Sequence, residues 1–218
     1  MALAASALTT VSALEAEMGI TPSSAGVTLA LLERAINAAS ASIAAALSRE
    51  LHHAERAERA AGHGTPLLLA RVTPLRAIAL VEYLADDSDE ALDAADYRIA
   101  DASAGLVQRL GASWRWTGRT TSIEGDPQGG SEQALYRLTY TAGWITPAQE
   151  AGPLVRDLPY DIEDACLRLA TLVYKGRGRD ESVKSRKLMS ASITYGATQA
   201  AQADILAPIV AAYRRLAL

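Results

Sequence analysis

Phenylalanine is absent from the 218 residues, and aromatic side chains make up only 5% of them. The apolar core must therefore be built from Ala, Leu, Ile, Val and Tyr. There is one cysteine, Cys166, which excludes an intramolecular disulfide framework and a Cys-rich zinc site. An excess of positive charge is also missing. Twenty-one basic against 25 acidic side chains leave a net charge of -4, which excludes a generally basic nucleic-acid binder. No apolar run is read as approaching the roughly 18 residues of a membrane span. Residues 1–8 lack the basic flank and compact apolar stretch of a signal peptide. The expectation is a soluble chain, synthesised inside the cell and without a membrane partner.

Catalytic signatures are equally scarce. There is no GxxxxGK[ST] phosphate loop, no GxGxxG after a strand, no GxSxG elbow and no HExxH. His52, His53 and His63 lie near Glu55 and Glu58 in sequence. Adjacent His52 and His53 diverge on any regular element, so the histidines are read as structural rather than as metal ligands. Cys166 falls on an apolar helical stripe, where a thiol is a small core residue and not a nucleophile. No metal, no cofactor and no enzymatic activity are expected. An enzyme would have to assemble a site from isolated residues such as His63, an acid and a tyrosine.

What is present is half hydrophobic, enough for one well-packed domain or two small ones. The N-terminal third reads as helical. An Ala-rich segment from Ser6 to Met18 carries Leu8, Val11 and Leu14 on one stripe, and Gly19 stops it. Thr21-Pro22 reads as the start of a second helix with Leu29, Leu32, Ile36, Ile43 and Leu47 at helical spacing. Its sparse charge suggests burial on more than one face, with a second copy of the chain as one cover.

The middle changes to a strand period. Leu67 to Val72, Ile78 to Leu84, Tyr97 with Ile99, Trp114 with Trp116, and Tyr136 to Tyr140 are strand-like runs. Asp86 to Asp96 is an acidic connection, and Gly125 to Gly130 a loop. These runs predict one small antiparallel sheet of four to six strands. The C-terminal part is helical again. Pro159, Asp161, Glu163 and Asp164 form an acidic first turn, and Ile162, Cys166, Leu169 and Val173 a stripe behind it. Lys175, Arg177, Arg179, Lys184, Arg186 and Lys187 read as a basic exposed loop. Ser190 to Tyr195 reads as extended, and a last helix runs from about Asp204 to Arg215, with Pro208 obscuring its start. The fold class is α+β, with boundaries at 1–50 (helices), 51–145 (an antiparallel β-region) and 146–218 (helices and a C-terminal tail packing with 1–50).

The order of these segments carries a resemblance. Leu31 to Ile43, Gly62-His63-Gly64 before Leu67-Leu68-Leu69, and Tyr140-Thr141-Ala142-Gly143-Trp144 come in sequence. Leu158 to Cys166, Tyr174 with its basic neighbours, Ser192 to Gly196 and Tyr213-Arg214-Arg215 follow. Nearly the whole chain resembles the head-tail connector (adaptor) proteins of tailed bacteriophages, prophages and gene-transfer particles, with Asp86 to Asp96 and Thr120 to Glu132 expected to depart most. The resemblance implies a helical bundle with an inserted β-region, assembled as a ring, commonly a dodecamer, at the virion neck of a particle made in a bacterial host. It implies the portal protein and a stopper or tail-completion protein as partners, with DNA passing through the ring without specific binding. The segments expected to dock on the portal or a neighbouring subunit are Lys175, Arg177, Arg179, Lys184, Arg186 and Lys187, together with Tyr213, Arg214 and Arg215. The alternatives are a stopper or tail-completion protein of the same neck, and a small DNA-packaging accessory or DNA-binding protein.

Overall fold

The structure, a computed structural model, describes residues 2–20, 29–84, 89–115, 136–177, 185–188, 191–194 and 198–214, with backbone alone for those between 178 and 199. Two helices come first, α1 (Val11–Met18) and α2 (Leu29–Leu47). Seven strands follow: β1 (Ala54–Ala60), β2 (Leu67–Leu69), β3 (Leu75–Leu84), β4 (Asp89–Ala91), β5 (Tyr97–Asp101), β6 (Leu106–Arg109) and β7 (Tyr136–Ala142). Then come α3 (Tyr160–Gly176), a hairpin of β8 (Ser185–Leu188) and β9 (Ala191–Thr194), and α4 (Thr198–Tyr213). The fold is α+β. The chain divides into two compact units, Met1–His52 with Ile145–Leu218, and His53–Trp144.

In the first unit α3 touches each of the other helices, and α2 touches α1 and α4. The stripe of α2 that the spacing predicts is buried at Leu32, Ile36, Ile43 and Leu47. Leu29 is instead 60% exposed. Each fully buried aliphatic side chain of this kind is worth roughly 1.5–3 kcal/mol. α2 is also long and apolar enough to cross a membrane by length and composition, contrary to the expectation that no such run exists. A core helix passes the same test, and α2 buries its stripe inside the protein.

The first helix starts at Val11, not Ser6. Thr10 is its N-cap, its hydroxyl accepting from the Ala13 amide at 3.2 Å. The residues before it are held by α2 side chains: Ala4 N–H donates to Asn37 and Leu8 N–H to Ser40. Gly19 ends α1 with φ of +63°, a left-handed conformation that glycine adopts without a Cβ penalty. The predicted start at Thr21-Pro22 lies outside the described residues. α3 ends at Gly176 as its glycine predicts, and Ile162, Cys166 and Leu169 are buried on it. Part of the basic segment is not loop: Lys175 closes α3, and residues 185–188 form β8, paired with β9. The last helix begins at Thr198, six residues before the predicted start, with Pro208 inside it. Pro208 is exposed, so water can take the carbonyl that the missing N–H would have bonded.

The second unit holds two sheets where the sequence predicts one. A four-stranded sheet has the order β1-β7-β3-β4, and a three-stranded sheet the order β2-β6-β5. β7 is central in the first and buries Tyr136, Leu138, Tyr140 and Ala142 on one face. β1, β4 and β6 were not legible. β1 reads Ala-Glu-Arg-Ala-Glu-Arg-Ala, without apolar alternation, because it is an edge strand paired only with β7. β4 lies inside the segment read as an acidic connection. Trp114 is not on a strand, although fully buried; Trp116 and the loop of 125–130 lie outside the described residues. With no Phe, every large ring in this core brings a polar atom that needs a partner. Trp114 donates its indole N–H to Pro66 O at 3.0 Å. The Tyr136 hydroxyl accepts from Arg115 N at 3.0 Å, and that of Tyr140 from Val72 N at 3.3 Å.

Candidate docking surfaces

A buried polar cluster organises the N-terminal end of α3. Glu163, in the first turn, is 8% exposed. Its carboxylate accepts from the Thr9 hydroxyl at 3.0 Å and forms an ion pair with Arg156 at 2.5 Å. Negative charge there also complements the helix dipole. The Arg156 guanidinium in turn lies 4.2 Å from the centre of the Tyr160 ring. Thr9, Glu163, Arg156 and Tyr160 thus form a continuous stack from core to surface. At its outer end Tyr160 is 77% exposed, and nearby in sequence Val155 is 70% exposed. A large exposed ring fixed from beneath by a guanidinium loses little side-chain freedom on binding, which suits it as an interface anchor.

One group of predicted docking residues arrives at the same end. The Tyr213 hydroxyl donates to Asp161 at 3.0 Å, bringing the end of α4 to the first turn of α3. Burial, and then the Asp161 hydrogen bond and charge, raise the Tyr213 pKa above the ordinary phenol value. Arg214 is exposed beside it in sequence. Arg215 lies outside the described residues.

Two members of the other predicted group are at the far end of the helix. Lys175 and Arg177 are exposed at the C-terminal end of α3, about 24 Å along the axis from Tyr160 at 1.5 Å per residue. Arg177 folds back on its own helix, its guanidinium 3.6 Å from the Tyr174 ring centre and bonded to Tyr174 O at 3.2 Å. Arg179 and Lys184 lie outside the described residues. Arg186 and Lys187 are in β8. Among the described residues, Lys175 and Arg177 lie at one end of α3 and Tyr213 with Arg214 at the other. Val155, Arg156 and Tyr160 were missed by the sequence reading. The sequence signal is an Arg four residues before a Tyr, Arg156-Asp157-Leu158-Pro159-Tyr160, which is too common to single out.

Cys166 sits under this region, buried against the Ser40 hydroxyl at 3.5 Å. Burial pushes its pKa up to about 12, further raised by Glu163 and partly offset by the Ser40 hydrogen bond. It is a core thiol, as its stripe position predicts. A small open groove of about 240 Å³ is lined by Leu8, Ala41, Ala44 and Leu51, with Glu50 and His52 at its polar side. Among the described residues, no three His, Cys, Asp or Glu side chains gather as a metal site would require.

No protein-family model matches the chain, and no curated protein matches it at a significant level. Solved structures do resemble it along its full length. One is in the neck of an empty gene transfer agent particle solved with C6 symmetry, at 16% identity and a TM-score of 0.58. A second is in the neck of a native particle with C12 symmetry, at 15% identity and a TM-score of 0.55. A third is in the virion of a native gene transfer agent particle, at 17% identity and a TM-score of 0.57. Each match covers 100% of this chain and 94% of the other. The α+β fold of this chain, over its whole length, is one that occurs in the necks of gene transfer agent particles.

Proposed function

We propose that the protein is a structural head-tail connector of a tailed phage or phage-like particle. In this reading it sits at the neck, forms a ring under the portal, extends the DNA channel and offers a platform to a stopper or tail-completion protein. Its helices form the bundle, with the β-region inserted, and it works through interfaces rather than as an enzyme. The observation that carries the reading is the full-length fold likeness to chains in neck structures solved with C6 and C12 symmetry.

The physical features are compatible with that role. A channel that conducts DNA must not grip it, and a net charge of -4 limits phosphate binding. The Tyr160–Tyr213 end of α3 offers a rigid aromatic surface for a partner, with the portal as the assigned occupant. Isolated subunits are expected to be monomers in equilibrium with small oligomers, with the portal ring templating closure. The test is a copy count. The tagged chain is quantified by mass spectrometry against portal in gradient-purified particles. A ratio near one, with about a dozen copies as closed cyclic assembly predicts, supports a neck ring. Absence from finished particles overturns it, and a ratio matching a different layer moves the protein to the stopper or tail-completion position. Tight, steeply salt-dependent filter binding to DNA is the result that a DNA-binding accessory would give.

A further inference from the structure

Among the described residues, two strand edges, one acidic and one in a basic segment, carry no further strand. The first is β4. It pairs with β3 on one side, through Glu82↔Ala91, Tyr83↔Glu90 and Leu84↔Asp89, and ends the strand order of its sheet. All three of its residues are exposed. Between Arg76 and Arg98 the sequence holds seven acids and no base. Asp89 is bound by Arg137 at 3.1 Å, while Asp93 and Asp96 continue the run on exposed backbone.

The second edge is the β8–β9 hairpin. Four residue pairs hold it together, and no third strand joins it among the described residues. An isolated two-stranded hairpin is marginal in water and gains stability from a further strand. Its sequence neighbourhood is the most basic in the chain, with Lys184, Arg186 and Lys187 in four positions. An acidic edge repels another acidic edge and favours a basic strand, which gives the pairing its selectivity.

We propose that the β8–β9 hairpin of one subunit adds to the β1-β7-β3-β4 sheet of the next by pairing along β4, as strand addition does in peptide recognition. This rests on the neck-ring reading and names the subunit contact within it. Each chain carries one hairpin and one β4 edge, so the contact is head-to-tail and can propagate around a ring. It also separates two tasks: the basic segment after α3 serves the neighbouring subunit, and the Tyr160–Tyr213 end serves the portal.

Sedimentation velocity on the full chain at low salt tests this, using Arg186→Glu with Lys187→Glu as the hairpin variant and Asp89→Lys with Glu90→Lys as the edge variant. Glu90→Lys with Asp96→Lys is a second edge variant that spares the Asp89–Arg137 pair. Circular dichroism checks that each is folded. The wild type is expected to self-associate with concentration, at least roughly tenfold more weakly at 300 mM than at 50 mM salt. Each variant alone should lose at least about tenfold in association, as like charges now meet across the contact. An equimolar mixture of hairpin and edge variants should recover it, since each then offers the opposite charge to the other. A wild type that stays monomeric at low salt, a variant that associates like wild type, or a mixture no better than its components overturns the contact. The copy count against portal is independent of all three, so failure here is distinguishable from failure of the neck reading.

Discussion

Glu163→Gln isolates the energetics of the cluster beneath the proposed portal-facing surface. The substitution keeps the side-chain shape and an oxygen for Thr9, but removes the charge that Arg156 faces at 2.5 Å. Breaking a well-buried ion pair from one side costs roughly 3–5 kcal/mol. Glu163 keeps 10% and Arg156 21% of its side chain exposed, so water partly screens the orphaned guanidinium. The expected loss is then about 1.5–2.5 kcal/mol. At about 2–4 °C per kcal/mol for a chain of this size, Tm should fall by about 3–10 °C. The assay is urea unfolding followed by helical circular dichroism, with separate transitions fitted if the two units melt apart. A double-mutant cycle with Arg156→Gln should give a coupling of at least about 1 kcal/mol, because the residues touch. Single losses below about 0.5 kcal/mol, or additive ones, would refute the claim that this pair holds the end of α3 together.

Other outcomes follow from the same geometry. Gly62→Ala should destabilise the β-unit by about 1–3 kcal/mol, because an added Cβ would lie 1.9 Å from Arg115 O; thermal melts of the variant check this. Cys166 and Tyr140 both have pKa values raised by burial. The unfolded chain therefore releases their protons first, and stability that is complete below about pH 8.5 should decline as the pH rises toward 12. Urea midpoints at pH 7, 9 and 10.5 read this, and native Cys166 should resist a thiol reagent at pH 8 until the protein unfolds. Tyr160→Ala removes an exposed ring, so unfolding stability should change by less than about 0.5 kcal/mol while tail joining is lost in a particle assembly assay. Retained tail joining would remove Tyr160 from the docking surface.

Some of these features could be read from residues alone. The α3 stripe of Ile162, Cys166 and Leu169, the Gly19 stop and the β7 alternation from Tyr136 to Tyr140 are local patterns, because a helix or strand that buries one face must repeat at its own period. The charged strand β1 and the short strand β4 were not legible, since pairing at a sheet edge imposes no apolar alternation; β6 is central in its sheet, but its four residues are too few to display a period. Pro208 obscures the start of the last helix in the sequence, yet α4 runs through it, its exposed position letting water take the carbonyl left without a donor.

By itself, the sequence determined the α+β class, the buried role of Cys166 and the concentration of cations between Lys175 and Lys187. These follow from composition and near-neighbour spacing, which are properties of the chain. The tertiary structure alone decided that Thr9 and Glu163, 154 residues apart, share a hydrogen bond, and that Arg156 braces Tyr160. It also decided that Lys175 and Arg177 lie at the opposite end of α3 from Tyr213 and Arg214, and that part of an acidic segment becomes the last strand of a sheet among the described residues. Such juxtapositions depend on how helices and strands pack, and side-chain periodicity specifies which face is buried without specifying what it meets.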